Sequence, residues 1–215
     1  MDQILVYSDS QSWGIIPGTR QRLPFDQRWP GVLENCLLAT GKSVRVVENC
    51  LNGRRTAWSS PFLDGRDGSQ GLAQVIEMHS PLKLVIVMLG TNDFQRSHNN
   101  DASLAAEGVA KLIKIIRNAP IEPGMPTPEI MVVAPPAIVD PKGSIAPKFT
   151  GADERCLGFA EALETVANDH RTYFFDAGTV IRTSPQDGVH IDQPDHRTLG
   201  EAIAHILDKS ITFGG

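Results

Sequence analysis

The sequence predicts an α/β fold, a doubly wound parallel sheet with helices on both faces. Three observations carry that expectation. Short strand-like runs recur five times along 215 residues, at about 3–8, 43–49, 83–89, 129–134 and 172–176. The third and fourth are nearly continuous in apolar residues, as strands covered on both faces must be. Helical periodicity fills stretches between and after them, and strand alternating with helix is the pattern of a doubly wound sheet.

The first run, Ile4-Leu5-Val6-Tyr7, breaks into Ser8-Asp9-Ser10-Gln11-Ser12-Trp13-Gly14. An apolar run ending in small polar residues and a glycine reads as a buried strand entering a turn. In a parallel sheet that turn lies on the carboxyl edge, where open α/β sheets place their chemistry. Ser10 therefore sits where its hydroxyl can face a cleft, and it is the candidate nucleophile. Residues 30–40 carry Val32, Leu33, Cys36 and Leu37 at three- and four-residue spacing, the mark of a helix. The second strand, 43–49, leads into Asn52-Gly53-Arg54, and the third, 83–89, into Gly90-Thr91-Asn92-Asp93. Residues 101–118 place Leu104, Val109, Leu112, Ile113 and Ile116 on one helical stripe, with Lys111, Lys114 and Arg117 elsewhere. Helices are likewise expected over 152–169 and 195–209, the latter opening on Pro194-Asp195. After the fifth strand comes Asp187-Gly188-Val189-His190. Three loops, about 15–29, 54–68 and 135–151, exceed what such a fold needs and are rich in Pro, Gly and Arg. Loops of that length shape a binding site, cover it, make a subunit contact or simply decorate the surface.

Composition narrows the function classes. Hydrophobic residues make up 41% and charged residues 21%, an ordinary soluble balance that suits one domain over 1–215. A net charge of -5 leaves no basic footprint for nucleic acid. No apolar run approaches a membrane span, and no basic and apolar leader opens the chain. Cys36, Cys50 and Cys156 are odd in number and lack CxxC spacing, which points away from a disulfide framework and toward a reduced, cytoplasmic setting. His79, His98, His170, His196 and His205 lack metal-site spacing, so neither metal nor cofactor is expected.

Ser10, Asp187 and His190 supply what nucleophilic acyl transfer requires. A serine hydroxyl is a weak nucleophile until an imidazole removes its proton, and the imidazole needs a carboxylate to hold its tautomer. Donors must also wait where the carbonyl oxygen becomes negative. The four blocks resemble those of the SGNH (GDSL-type) hydrolases, from Ile4 to about Leu207. Trp13-Gly14, Met88-Leu89-Gly90-Thr91-Asn92-Asp93 and Phe174-Phe175-Asp176-Ala177-Gly178 are most similar to the bacterial arylesterase/acyltransferase branch. The resemblance implies a three-layer α/β/α sandwich with the flavodoxin-like strand order 2-1-3-4-5. It also implies a nucleophile at Ser10, a base at His190 oriented by Asp187, and oxyanion donors from the Ser10 and Gly53 N–H groups and the Asn92 side chain. Self-association into a homo-oligomer through the long loops is a further implication. Two positions depart from the family pattern: Ser8 stands where Gly is usual, and Gln11 where Leu is usual.

In that order strand 5 lies three intervals from strand 1, about 14 Å. The thirteen residues from Ala177 to Val189 span on the order of 40 Å when extended, so His190 can reach back to Ser10. Trp13 is expected either as a wall of the acyl pocket or as core. Arg54 and Arg55 are candidates to attract an anionic substrate group, against the commoner solvated or ion-paired state. Asp9 and Asp93 are expected to cap locally. The function expected is a serine esterase acting on small acyl esters, with acyl transfer to alcohols as an extension. Carbohydrate deacetylase, thioesterase or lysophospholipase activity uses the same machinery, and a non-catalytic flavodoxin-like binding module is the rival from another class.

Overall fold

A computed structural model of the chain describes residues 1–214. Five strands form one parallel sheet: β1 (Asp2–Ser8), β2 (Val44–Cys50), β3 (Leu84–Met88), β4 (Glu129–Ala134) and β5 (Tyr173–Asp176). Their order is β2-β1-β3-β4-β5, as the resemblance implied. Leu5 pairs in register with Val47 on one side and Val85 on the other.

Successive strand side chains point to opposite faces, so each apolar run feeds two cores. Leu5, Tyr7, Val85, Val87 and Val132 pack with α3 (Leu72–His79), α4 (Ala102–Arg117) and α6 (Phe159–Asp169). Ile4, Val6, Leu84, Ile86, Met131 and Val133 pack with α2 (Trp29–Ala39) and α7 (Gln193–Ser210). The result is three layers with the sheet in the middle. None of the helices is long and apolar enough to cross a membrane among the described residues.

The elements differ from the sequence expectation in two instructive places. Helix α3 is not announced by periodicity, because its eight residues bury only Leu72 and Ile76, too few to establish a stripe. The helix expected over 152–169 is broken into α5 (Ala152–Arg155) and α6 by Gly158 at φ +77°. That left-handed turn, open to glycine without strain, starts a new helix at Phe159. The Phe159 ring then meets Phe94 edge-on, with centroids 5.0 Å apart.

Candidate active site

Every candidate residue lies at or beyond the carboxyl edge of the sheet. β1 ends at Ser8, and α1 (Ser10–Trp13) follows at once. Asp9 starts this helix by accepting the Gln11 N–H at 2.9 Å, the capping role expected of it. Gly14, at φ +82°, ends it and donates its N–H to the Ser10 carbonyl. Ser10 is thus fixed by its own four-residue helix.

The two departures from the family pattern both bind into this turn. The Ser8 hydroxyl donates to the Met88 carbonyl at 2.7 Å and accepts from Ser12, which in turn accepts the Trp29 indole N–H. This buried chain of polar groups fastens α1 to β3 and α2. Gln11 Nε2 donates to the Val189 carbonyl at 2.6 Å, which ties the serine turn to the residue before His190. The Gln11 Oε1 is buried without a partner among the described residues.

The loop after β5 folds back over the sheet edge, as its length allows. His190 Nε2 lies 3.2 Å from Ser10 Oγ, and its Nδ1 lies 2.7 Å from Asp187 Oδ2. The other carboxylate oxygen of Asp187 accepts the Val189 and His190 N–H groups, each at 2.9 Å. All three residues are at least nine-tenths buried. Burial pushes the Asp187 carboxyl up, but the hydrogen bonds and charge of His190 outweigh it and hold the carboxyl at about 2. The Asp187 and Gly188 carbonyls also accept from the Lys142 and Val139 N–H groups, so the 135–151 loop braces the histidine turn.

Gly53, at φ +82°, follows β2, and Asn92 follows β3. Both line one cavity of about 340 Å³ with Ser10 and His190. Among the described residues no group of the protein engages the Ser10 or Gly53 N–H. Asn92 differs: its Nδ2 donates to Asp9 Oδ2 at 2.9 Å and to the Arg54 carbonyl at 3.1 Å. Its Oδ1 accepts from Gln95. Both amide hydrogens of Asn92 are therefore already directed at protein acceptors, the longer bond being the easier to share. Asp9, fully buried, is pushed up to about 6 by burial, against the pull of its Gln11 and Asn92 donors. Asp93, expected to cap, instead accepts the N–H and hydroxyl of Thr56, 37 residues away, and so ties the loop after β2 to the turn after β3.

Trp13 lines the cavity and carries the Arg22 guanidinium 4.7 Å over its ring, so it is wall rather than core. Arg54 does not face the cavity. Its guanidinium turns inward to the Ser8 and Asn49 carbonyls and the Asn49 side chain, 4.0 Å over the Tyr7 ring. The Ser8 carbonyl at the end of β1 already accepts the Leu51 N–H at 3.0 Å, so the arginine adds a second donor there and another at Asn49. Arg55 is buried and donates to the Ser59 carbonyl. The cations that do line the cavity are Arg20, Arg66 and Lys148, which motif reasoning did not single out. Each comes from one of the three long loops, whose placement in sequence was the available signal. Among the described residues no group of three or more His, Cys, Asp or Glu side chains is arranged to hold a metal ion.

Comparison with known proteins bears on this site. The model of the GDSL-like lipase/acylhydrolase family matches residues 9–205. The structure of the inhibitor-bound M. smegmatis aryl esterase is 30% identical, with a TM-score of 0.91, over 97% of this chain and 99% of that one. Est24, a carbohydrate acetylesterase from Sinorhizobium meliloti, is also 30% identical, with the same TM-score and the same coverage of both chains. An arylesterase from Vibrio mimicus is 27% identical over 118 residues, which span 55% of this chain and half of that relative.

Proposed function

The chain belongs to the GDSL-like lipase/acylhydrolase family, and on that premise we propose that it is a serine esterase acting on small acyl esters through an acyl-enzyme. The observation that carries this is the hydrogen-bonded run from Asp187 through His190 to Ser10, at 2.7 and 3.2 Å, opening on one cavity with two unengaged N–H groups.

Asp187 accepts a hydrogen bond from the Nδ1–H of His190, which keeps the proton on that nitrogen and leaves Nε2 as the acceptor facing Ser10. Ser10 Oγ attacks the ester carbonyl carbon as its proton passes to Nε2. The carbonyl oxygen takes up the electron pair and is held by the Ser10 and Gly53 N–H groups. Asn92 adds a third donor by sharing the hydrogen now directed at the Arg54 carbonyl. Collapse of this intermediate expels the alkoxide, which takes the proton from His190. Water enters by the same route and attacks the acyl carbon as its proton passes to Nε2; the bond from that carbon to Ser10 Oγ then breaks, Oγ takes the proton back from His190, and the acid leaves.

Trp13, Ile15 and Phe149 supply an apolar wall beside Ser10. A wall of this kind favours an alcohol over water as acceptor, and this supports acyl transfer as part of the proposal. Acetylated carbohydrates are the second substrate reading, favoured by the similarity to the S. meliloti acetylesterase. Three free cysteines are in keeping with a reducing, cytoplasmic setting. The proposed homo-oligomer is tested by solution sizing.

Ser10→Ala tests the reading directly. Hydrolysis of p-nitrophenyl acetate is expected to fall to the residual level of a site without its nucleophile, about 10⁴-fold or more below wild type. Turnover near wild type in a folded variant ends the proposal. Labelling of Ser10 by a fluorophosphonate separates an enzyme from a binding module.

A further inference from the structure

The cleft around Ser10 gathers more positive charge than ester cleavage needs. Arg20, Arg66 and Lys148 line the catalytic cavity. An adjoining cavity of about 540 Å³ shares Gly53, Leu63, Arg66 and Lys148 with it and adds two cations, Arg96 and the buried Arg55, whose charge is offset by the nearby Asp93 and Asp67. No Asp or Glu side chain lines either one among the described residues. None of Arg20, Arg66, Arg96 and Lys148 makes an ion pair among those residues. Some cations elsewhere do meet carboxylates: Arg22 and Arg28 share Glu48, and Lys42 meets Asp208; what sets Arg20, Arg66, Arg96 and Lys148 apart is that they gather at adjoining cavities with no acidic lining. Among the described residues the Arg66 side chain bonds only the Asp64 carbonyl, and its Nε is buried with no partner. Burial and the nearby Arg20 and Arg66 lower the Lys148 ammonium, the response of like charges held together.

In a chain of net charge -5, four uncompensated cations converging on one cleft form a local field that attracts anions. We propose that the ester taken by this cleft carries a negatively charged group, a carboxylate or a phosphate, held by Arg66 and Lys148 with Arg20 and Arg96 flanking. The assignment rests on the esterase reading and names its substrate class. Ester carbonyl and anion would occupy the two adjoining cavities, with Gly53 between them.

The test compares kcat/KM for charged and neutral esters of matched shape. On the alcohol side, 4-acetoxybenzoate and 4-acetoxyphenyl phosphate are set against methyl 4-acetoxybenzoate; on the acyl side, phenyl hemisuccinate is set against phenyl butyrate. Taking the charged-to-neutral ratio in wild type and in variant cancels differences in intrinsic reactivity. Lys148→Gln and Arg66→Gln are each expected to lower the ratio about two- to fivefold, the range of a partly exposed ion pair. The double variant lowers it roughly tenfold, and raising ionic strength from about 0.01 M to about 1 M erases most of the wild-type preference. Lys209→Gln, a charge removed from the exposed end of α7, leaves the ratio unchanged. A fall in any one arm supports the proposal and shows which side of the ester, and which anion, the cations hold. A ratio unmoved in every arm by the double variant, or moved equally by Lys209→Gln, overturns it. If wild type still cleaves the neutral esters in that case, the esterase reading stands; if it cleaves none of the esters, both fall.

Discussion

Asp187→Asn is the substitution in which the geometry makes the sharpest demand. The carboxylate accepts three hydrogen bonds, from His190 Nδ1 at 2.7 Å and from two backbone N–H groups at 2.9 Å. An asparagine can keep its carbonyl oxygen on the backbone pair, and its NH₂ then faces Nδ1. The imidazole must accept there, so its proton moves to Nε2, which faces Ser10 Oγ at 3.2 Å. A protonated Nε2 cannot receive the serine proton. The loss expected is about 10⁴-fold in kcat, near 5 kcal/mol of transition-state stabilisation. Stability changes less. Lowering the carboxyl from 3.8 to about 2 corresponds to at most about 2 kcal/mol. Because the folded value is the lower one, that stabilisation is complete above about pH 3.8 and is lost as the pH falls through about 2. The assay is p-nitrophenyl acetate turnover beside denaturant melts, so that inactivity and unfolding are read separately. A folded variant that keeps more than about a tenth of wild-type kcat would refute the claim that Asp187 sets the His190 tautomer.

Three further outcomes follow from local packing. Gln11→Leu removes the bond to Val189 and leaves that carbonyl without its donor, but it also removes a buried unpaired oxygen. Each costs about 1–3 kcal/mol, so the two nearly cancel; a Tm shift beyond about 10 °C contradicts this. Burial raises the Asp93 carboxyl to about 7, so its contribution to stability is present below pH 3.8 and lost as the pH rises through about 7. Asp93→Asn should therefore flatten the decline of Tm across that window, and parallel curves for variant and wild type would disprove it. Gly90 sits at φ +127° with the Phe159 ring where a Cβ would go, whereas Gly41 at φ +82° has open space. Gly90→Ala is expected to cost more than about 3 kcal/mol and Gly41→Ala about 1, and equal losses in chemical denaturation would count against the packing argument.

Strand positions and the carboxyl-edge placement of Ser10, Gly53, Asn92 and His190 were legible from residue order; the three long loops were legible as loops, with their role left open between site, cover, subunit contact and surface. Apolar runs of period two and stripes of period 3.6 are local properties of a sequence, and turn residues mark where they stop. Helix α3 escaped because two buried residues do not make a period, and the break at Gly158 because the 152–169 pattern continues through it.

Direction within the loops was decided by the tertiary structure. Arg54 was a candidate substrate contact, yet it turns inward, where folding gathers the Ser8 and Asn49 carbonyls, the Asn49 side chain and the Tyr7 ring around its guanidinium. Arg20, Arg66 and Lys148 stand far apart in the chain and meet at one cavity. The hydrogens of Asn92 are committed to Asp9 and Arg54, partners delivered by other strands. Which way a polar side chain faces depends on the polar groups that distant segments bring beside it, and those meet only once the chain has folded. The residue pattern determined the sheet and the residues gathered at its edge; the assembled loops decided which charges line the cavity there.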